Sequence, residues 1–261
     1  MAFKPWTETK TPRHVIDDLD DDFTTDVDLP SVEIVGQLDT LHGSLVIVSD
    51  NLKIYNDILL KHYGKPVVNA SIVVRKKFIQ RLDTDEYIES EQLYSTSGEV
   101  TYEEAVSATV DIVSYPELNL IVMPKFGLDK VNYNLIAQLL LNEVKIPIIS
   151  ISPGQIPYSD TVCSLGDTPE TLEFPGLVPP FVITGISGSI LSYSKALNIP
   201  HNYVLILQSE GVPGFEKINQ QSIVQVAKFL KAKFSLYDKF DQDCDKSLSY
   251  GKAVNNLGLY L

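Results

Sequence analysis

Ser209-Glu210-Gly211 and Gly214-Phe215-Glu216-Lys217 form the densest group of residues that could do chemistry in this chain. They combine a hydroxyl, two carboxylates, an ammonium and two glycines between an apolar run and an amphipathic one. Loops at that position hold many α/β active sites. The same residues also describe a tight turn, with Phe215 in the core and Glu216 at a helix start. No acid, base and nucleophile converge there from sequence, so the structural reading is favoured. Gly185-Ile186-Ser187-Gly188-Ser189 comes nearest to a nucleophile elbow but lacks the second glycine at the required spacing. Ser187 or Ser189 is read as capping a helix, with anion binding as the alternative.

Other chemistries find little support. No phosphate-cradling loop with its lysine and no dinucleotide turn is present. His14, His42, His62 and His201 are scattered, without the pairing or cysteine neighbours of a metal site. His62 suits the C-terminus of a helix, where a cation meets the dipole. Cys163 stands in a turn-rich stretch with no base nearby in sequence. The aspartates at 17, 18, 20, 21, 22, 26 and 28 lack the glycine turn of a calcium loop and read as a solvated arm. These observations predict no metal, no cofactor and no enzyme; a catalytically active enzyme of nucleoside phosphorylase or hydrolase type is the alternative.

The elements that would position these residues follow from hydrophobic period. Leu45–Val48, Val67–Val74, Leu118–Met123, Ile146–Ile151, Phe181–Thr184 and Tyr203–Leu207 have the length and apolarity of buried strands. Between them lie helical patterns. One buries Ile54, Ile58 and Leu59, starts at Asp50 or Asn51 and stops at Gly64. Another is capped by Asp129 and buries Val131, Leu135, Ile136, Leu139 and Leu140. A third carries Ile190, Leu191 and Leu197, and a fourth Ile223, Val226, Ala227 and Leu230. Residues 75–104 read as strands and loops. The proline-rich residues 152–180 read as a long loop. Alternating strands and helices predict an α/β fold, a three-layer αβα sandwich around a mixed, mostly parallel sheet. The organisation expected is an acidic extended arm over 1–40, one α/β core over 41–234, and a flexible polar tail over 235–261.

Bulk properties narrow the class. With 261 residues, 44% of them hydrophobic, the chain can bury a core without disulfides. Two distant cysteines fit a reducing compartment. The aspartate- and proline-bearing start does not read as a signal peptide, and no apolar run approaches the roughly 18 residues of a membrane span. A cytoplasmic protein, with the nucleus as a second compartment, is expected. The net charge of −13 disfavours nucleic acid and favours a partner offering lysine or arginine.

Four blocks are recognisable together: Phe3-Lys4 with Trp6; Pro179-Pro180 through Ile183-Thr184-Gly185 to Gly188-Ser189; Ser209-Glu210-Gly211 with Gly214-Phe215-Glu216-Lys217; and the terminal Gly258-Leu259-Tyr260. With them the chain resembles the fungal proteasome assembly chaperone 1 family, the larger member of a heterodimer that rides on the α-ring of the immature core particle. The resemblance implies a fold similar to nucleoside phosphorylases without their catalytic residues, and a second assembly chaperone as obligate partner. It also implies that Leu259-Tyr260-Leu261 is a hydrophobic-Tyr-any motif docking between proteasome α subunits, guiding α-ring assembly and keeping activators off the unfinished particle. Phe3 and Trp6, aromatic in a polar arm, are expected as a second anchor.

Overall fold

The computed structural model describes residues 29–80, 101–127, 130–157, 159–169, 172–211 and 216–257. Among these residues one nine-stranded sheet carries helices on both faces. Its centre is four parallel strands, β5 (Asn119–Met123), β2 (Leu45–Ser49), β6 (Ile148–Gly154) and β8 (Tyr203–Glu210), in that order. Leu45, Val46, Ile47 and Val48 are all fully buried, as a central strand covered on both faces requires. Antiparallel additions flank this centre. On one side β5 pairs with β4 (Thr101–Ser114), β4 with β3 (Val67–Gln80), and β3 with the edge strand β1 (Ser31–Gly36). On the other, β8 pairs with β7 (Val162–Gly166) and, at its end, with the short β9 (Lys217–Ile218).

The apolar residues divide by strand parity. Val46, Val48, Ile149, Ile151, Leu205 and Leu207 face a cluster built with α1 (Ile54–Tyr63), α4 (Gln220–Phe234) and α5 (Phe240–Leu257). Leu45, Ile47, Ile72, Ile112 and Ile121 face the opposite cluster, built with α2 (Val131–Glu143) and α3 (Gly185–Ala196). This is the three-layer α/β sandwich expected from the alternating pattern.

Several local expectations change. Residues 31–36 of the expected arm form β1, because Val32 and Ile34 alternate onto the α2–α3 cluster while Glu33 and Val35 point away. The proline-rich stretch holds β7, whose Val162 and Cys163 are buried. Phe181–Thr184 forms no strand: β7 already occupies the free side of β8, and Phe181 and Ile183 pack on a third, smaller cluster instead. Leu197 is 49% exposed and Val131 36% exposed. Neither Asp50 nor Asn51 caps α1; Asp50–Leu52 form a 3-10 turn, and the helix starts after it without a side-chain cap. The expected cap Asp129 lies outside the described residues.

The largest correction concerns the expected flexible tail. The core does not end at 234: Leu236, Phe240 and Cys244 are buried, and Leu248 packs against the same cluster. Phe240, Cys244 and Leu248 recur every four residues, so a helix brings them to one face. That face meets α4 and α1, which outweighs the surrounding polar residues.

Candidate functional site

Parallel strands end on one edge of a sheet, so Ser49, Met123, Gly154 and Glu210 mark a common rim. The 209–217 turn lies on it. Glu210 pairs with Lys217 in the β8–β9 ladder, and Gly211 follows with φ of 104°, a conformation that glycine tolerates best. Ser209 Oγ donates to the Gly154 carbonyl at 3.1 Å, tying β8 to β6. Asn51 Nδ2 donates to Glu216 Oε2 at 2.9 Å, tying the far limb of the turn to the residues just after β2. Asn219 closes the structure by capping α4, its side chain accepting from the Gln221 amide at 2.9 Å. Ser209 and Glu216 therefore spend their polar groups holding three strand ends together. Gly214 and Phe215, and with them the expected burial of Phe215, lie outside the described residues.

The second glycine block sits at the same edge, at the start of α3. Gly185 has φ of +66°, and a Cβ placed on Gly188 would lie 2.7 Å from the Ile183 carbonyl oxygen. Chain approach and helix entry thus require glycine at both positions. The neighbouring serines are engaged differently from expectation, since α3 starts without a side-chain cap. Ser187 is fully buried and shares a 2.7 Å hydrogen bond with Ser150 of β6. Ser189 Oγ donates within reach of Asn134 Oδ1 at 2.6 Å and of the Gly185 carbonyl at 3.1 Å.

The other reactive side chains are equally occupied. Burial, reinforced by Asp160, pushes the Cys163 thiol up to about 11. Burial, with Asp241 and Asp243 nearby, pushes Cys244 up to about 12. At neutral pH both are thiols, and the thiolate is the nucleophile. His62, in the last turn of α1, stacks on Tyr237 at 3.6 Å between ring centres and 13° between planes. Among the described residues no group of three or more His, Cys, Asp or Glu could hold a metal ion. No described helix is long and apolar enough to cross a membrane.

Of the residues singled out in the sequence, Ser187, Ser189, Ser209 and Glu216 are hydrogen-bonded within the fold. Leu259, Tyr260, Leu261, Phe3 and Trp6 lie outside the described residues. Sequence reasoning missed α5, the element that leads toward the C-terminal motif. Its signal was the spacing of Phe240, Cys244 and Leu248.

Solved structures share the fold at low identity. PbaA from Pyrococcus furiosus, described as an archaeal homolog of proteasome-assembly chaperone, superposes with a TM-score of 0.53 at 14% identity, over 87% of this chain and 96% of its own. PbaB from the same organism, described as an archaeal proteasome activator, gives 0.53 at 12% identity, over 88% and 99%. A Corynebacterium glutamicum protein of unknown function gives 0.50 at 11% identity, over 89% and 91%. No curated protein matches the chain in sequence. A family model does match, from the first residue to the last: over residues 1–261 the chain belongs to the POC1 chaperone family.

Proposed function

We propose that this protein is an assembly chaperone of the proteasome core particle, acting by binding and not by catalysis. It pairs with a second assembly chaperone, caps the outer face of the α-ring of immature particles, and inserts Leu259-Tyr260-Leu261 into a pocket between α subunits. The observation that carries this reading is the match to the POC1 chaperone family across the whole chain, both termini included. The apolar-Tyr-X ending supplies the contact: an aromatic ring for a pocket and a terminal carboxylate for a lysine. A net charge of −13 favours such a basic partner at long range. Its place of action is the cytoplasm, with the nucleus as a second compartment.

Phe3 and Trp6 serve as a second anchor in this scheme, and the aspartates behind them keep the arm extended by self-repulsion. The enzymatic alternative is disfavoured by the engaged serines and protonated thiols of the described core.

Capture of the tagged protein from cell extract tests the assignment. Particles still carrying pro-peptides, together with a second chaperone, are the expected catch. Mature particles alone would make the protein a regulator, and absence of any particle would remove the assignment. Deleting residues 1–12 should weaken the capture while leaving the heterodimer intact.

A further inference from the structure

Helix α5 connects the two ends of the molecule, and the order of its contacts fixes its direction. Just before it, Tyr237 stacks on His62 at the C-terminal end of α1. Near its start, Asp241 pairs at 3.1 Å with Lys231 in the last turn of α4. The Phe240 ring then lies 6.3 Å from that of Tyr55, the second residue of α1. Asp245 accepts a 3.0 Å hydrogen bond from Gln220, the first residue of α4.

As numbering rises from Tyr237 into α5, contacts thus descend α1 from 62 to 55 and α4 from 231 to 220. The helix runs antiparallel to both. Because α1 and α4 each follow a parallel strand, their first residues lie at the rim where those strands end. Helix α5 therefore travels toward the rim that carries the 209–217 turn. It is fastened on the way by Phe240 and Cys244, both fully buried. From Asp245, opposite the start of α4, it continues to Leu257, about 18 Å further at ~1.5 Å per residue. Gly258–Leu261 then adds at most roughly 14 Å when fully extended.

We propose that α5 is a strut that delivers the C-terminus past this rim, and that the rim formed by the ends of β2, β6 and β8 is the face turned toward the proteasome α subunits. The inference rests on the tail-docking reading and adds an orientation to it. A flexible segment over 235–261 would spread its end over a sphere some 25–30 Å in radius, at about 5–6 Å times the square root of its length. A helix concentrates the motif on one side of the body, which raises its effective concentration at a pocket below that side. It also brings the exposed Glu210 and Gln221 close to whatever receives the tail.

Photocross-linking in the heterodimer bound to α-ring particles reads the orientation directly. Glu210→benzoylphenylalanine and Gln221→benzoylphenylalanine place the probe at the rim. Asn142→benzoylphenylalanine and Asn198→benzoylphenylalanine place it on exposed sites at the opposite edge. The rim positions should give α-subunit adducts and the opposite positions none. Equal labelling at both edges, the reverse pattern, or rim adducts with the second chaperone alone would overturn the proposal. In a second variant, residues 249–257 are replaced by a Gly-Ser segment of equal length with Leu259–Leu261 kept, and α-ring affinity should fall at least about tenfold. Unchanged affinity would show a tether where we infer a strut. Removing Leu259–Leu261 from the parent is the control: if that alone changes nothing, the tail-docking reading fails, while the cross-links still report which face meets the particle.

Discussion

Cys163 and Cys244, the two cysteines of the chain, show how far a side chain's surroundings decide what it does. Both are fully buried, and burial together with nearby aspartates raises both above the usual thiol range of 9.0. The folded state thus holds these protons more tightly than the unfolded chain. Their contribution to stability is complete below about pH 9 and is lost as pH climbs through about 11 to 12. Stability to urea should therefore stay level through neutral pH and decline above pH 9, less steeply in Cys163→Ala. A disulfide-exchange reagent should titrate almost no thiol in the native protein at pH 7.5 and two per chain in denaturant. Gly188 makes an independent point, since a Cβ there would meet the Ile183 carbonyl at 2.7 Å. Gly188→Ala should cost about 1–3 kcal/mol in chemical denaturation, the usual range for forced overpacking. A neutral outcome would mean that the 183–188 approach is looser than described.

Element by element, α5 departs furthest from what periodicity suggested, and truncation measures the departure. Ending the chain after Leu248 should leave the melting temperature close to that of the full protein. Ending it after Phe234 removes Leu236, Phe240 and Cys244 from the core. Loss of a buried Phe alone is typically worth about 3–5 kcal/mol, so the shorter chain should be strongly destabilised or fail to fold. Equal stability of the two truncations would return the segment to a polar tail. The contrast shows which elements were legible. β2, β5 and β8 announce themselves as short apolar runs because both faces are covered, and α4 carries Ile223, Val226, Ala227 and Leu230 at helical spacing. β7 hides among prolines because it is only five residues long and two of its apolar residues, Val162 and Cys163, are enough to bury it. β1 hides at the end of an aspartate-rich stretch because only alternate residues, Val32 and Ile34, are even half-buried. In α5, three anchors four residues apart are diluted by polar neighbours, and tertiary contact decides what local pattern leaves open. Of the candidate site, the 209–217 block was legible as a turn and the Gly185 block as a helix entry, whereas the Asn51–Glu216 and Ser150–Ser187 bonds were not. Those pairs join residues far apart in sequence, and no local pattern announces them.

For the whole molecule, the proposed docking assigns a contact with the proteasome to Leu259, Tyr260 and Leu261, and its strength can be bounded. Burying a tyrosine-sized side chain contributes about 1.5–3 kcal/mol, and a charge-assisted hydrogen bond about 1.5–3 kcal/mol more. Neither offsets the entropy of association alone, so in the proposed docking Leu259, Tyr260 and Leu261 act together with the body and with the partner's own contacts. The most direct measurement is the affinity of the co-expressed heterodimer for α-ring particles, in competition with an ATPase activator, with and without Leu259–Leu261. Removing the three residues should weaken competition at least about tenfold, a loss of about 1.4 kcal/mol, and one extra residue after Leu261 should do nearly the same, while the heterodimer stays intact. A truncated chain that competes as well as the complete one would contradict the docking account.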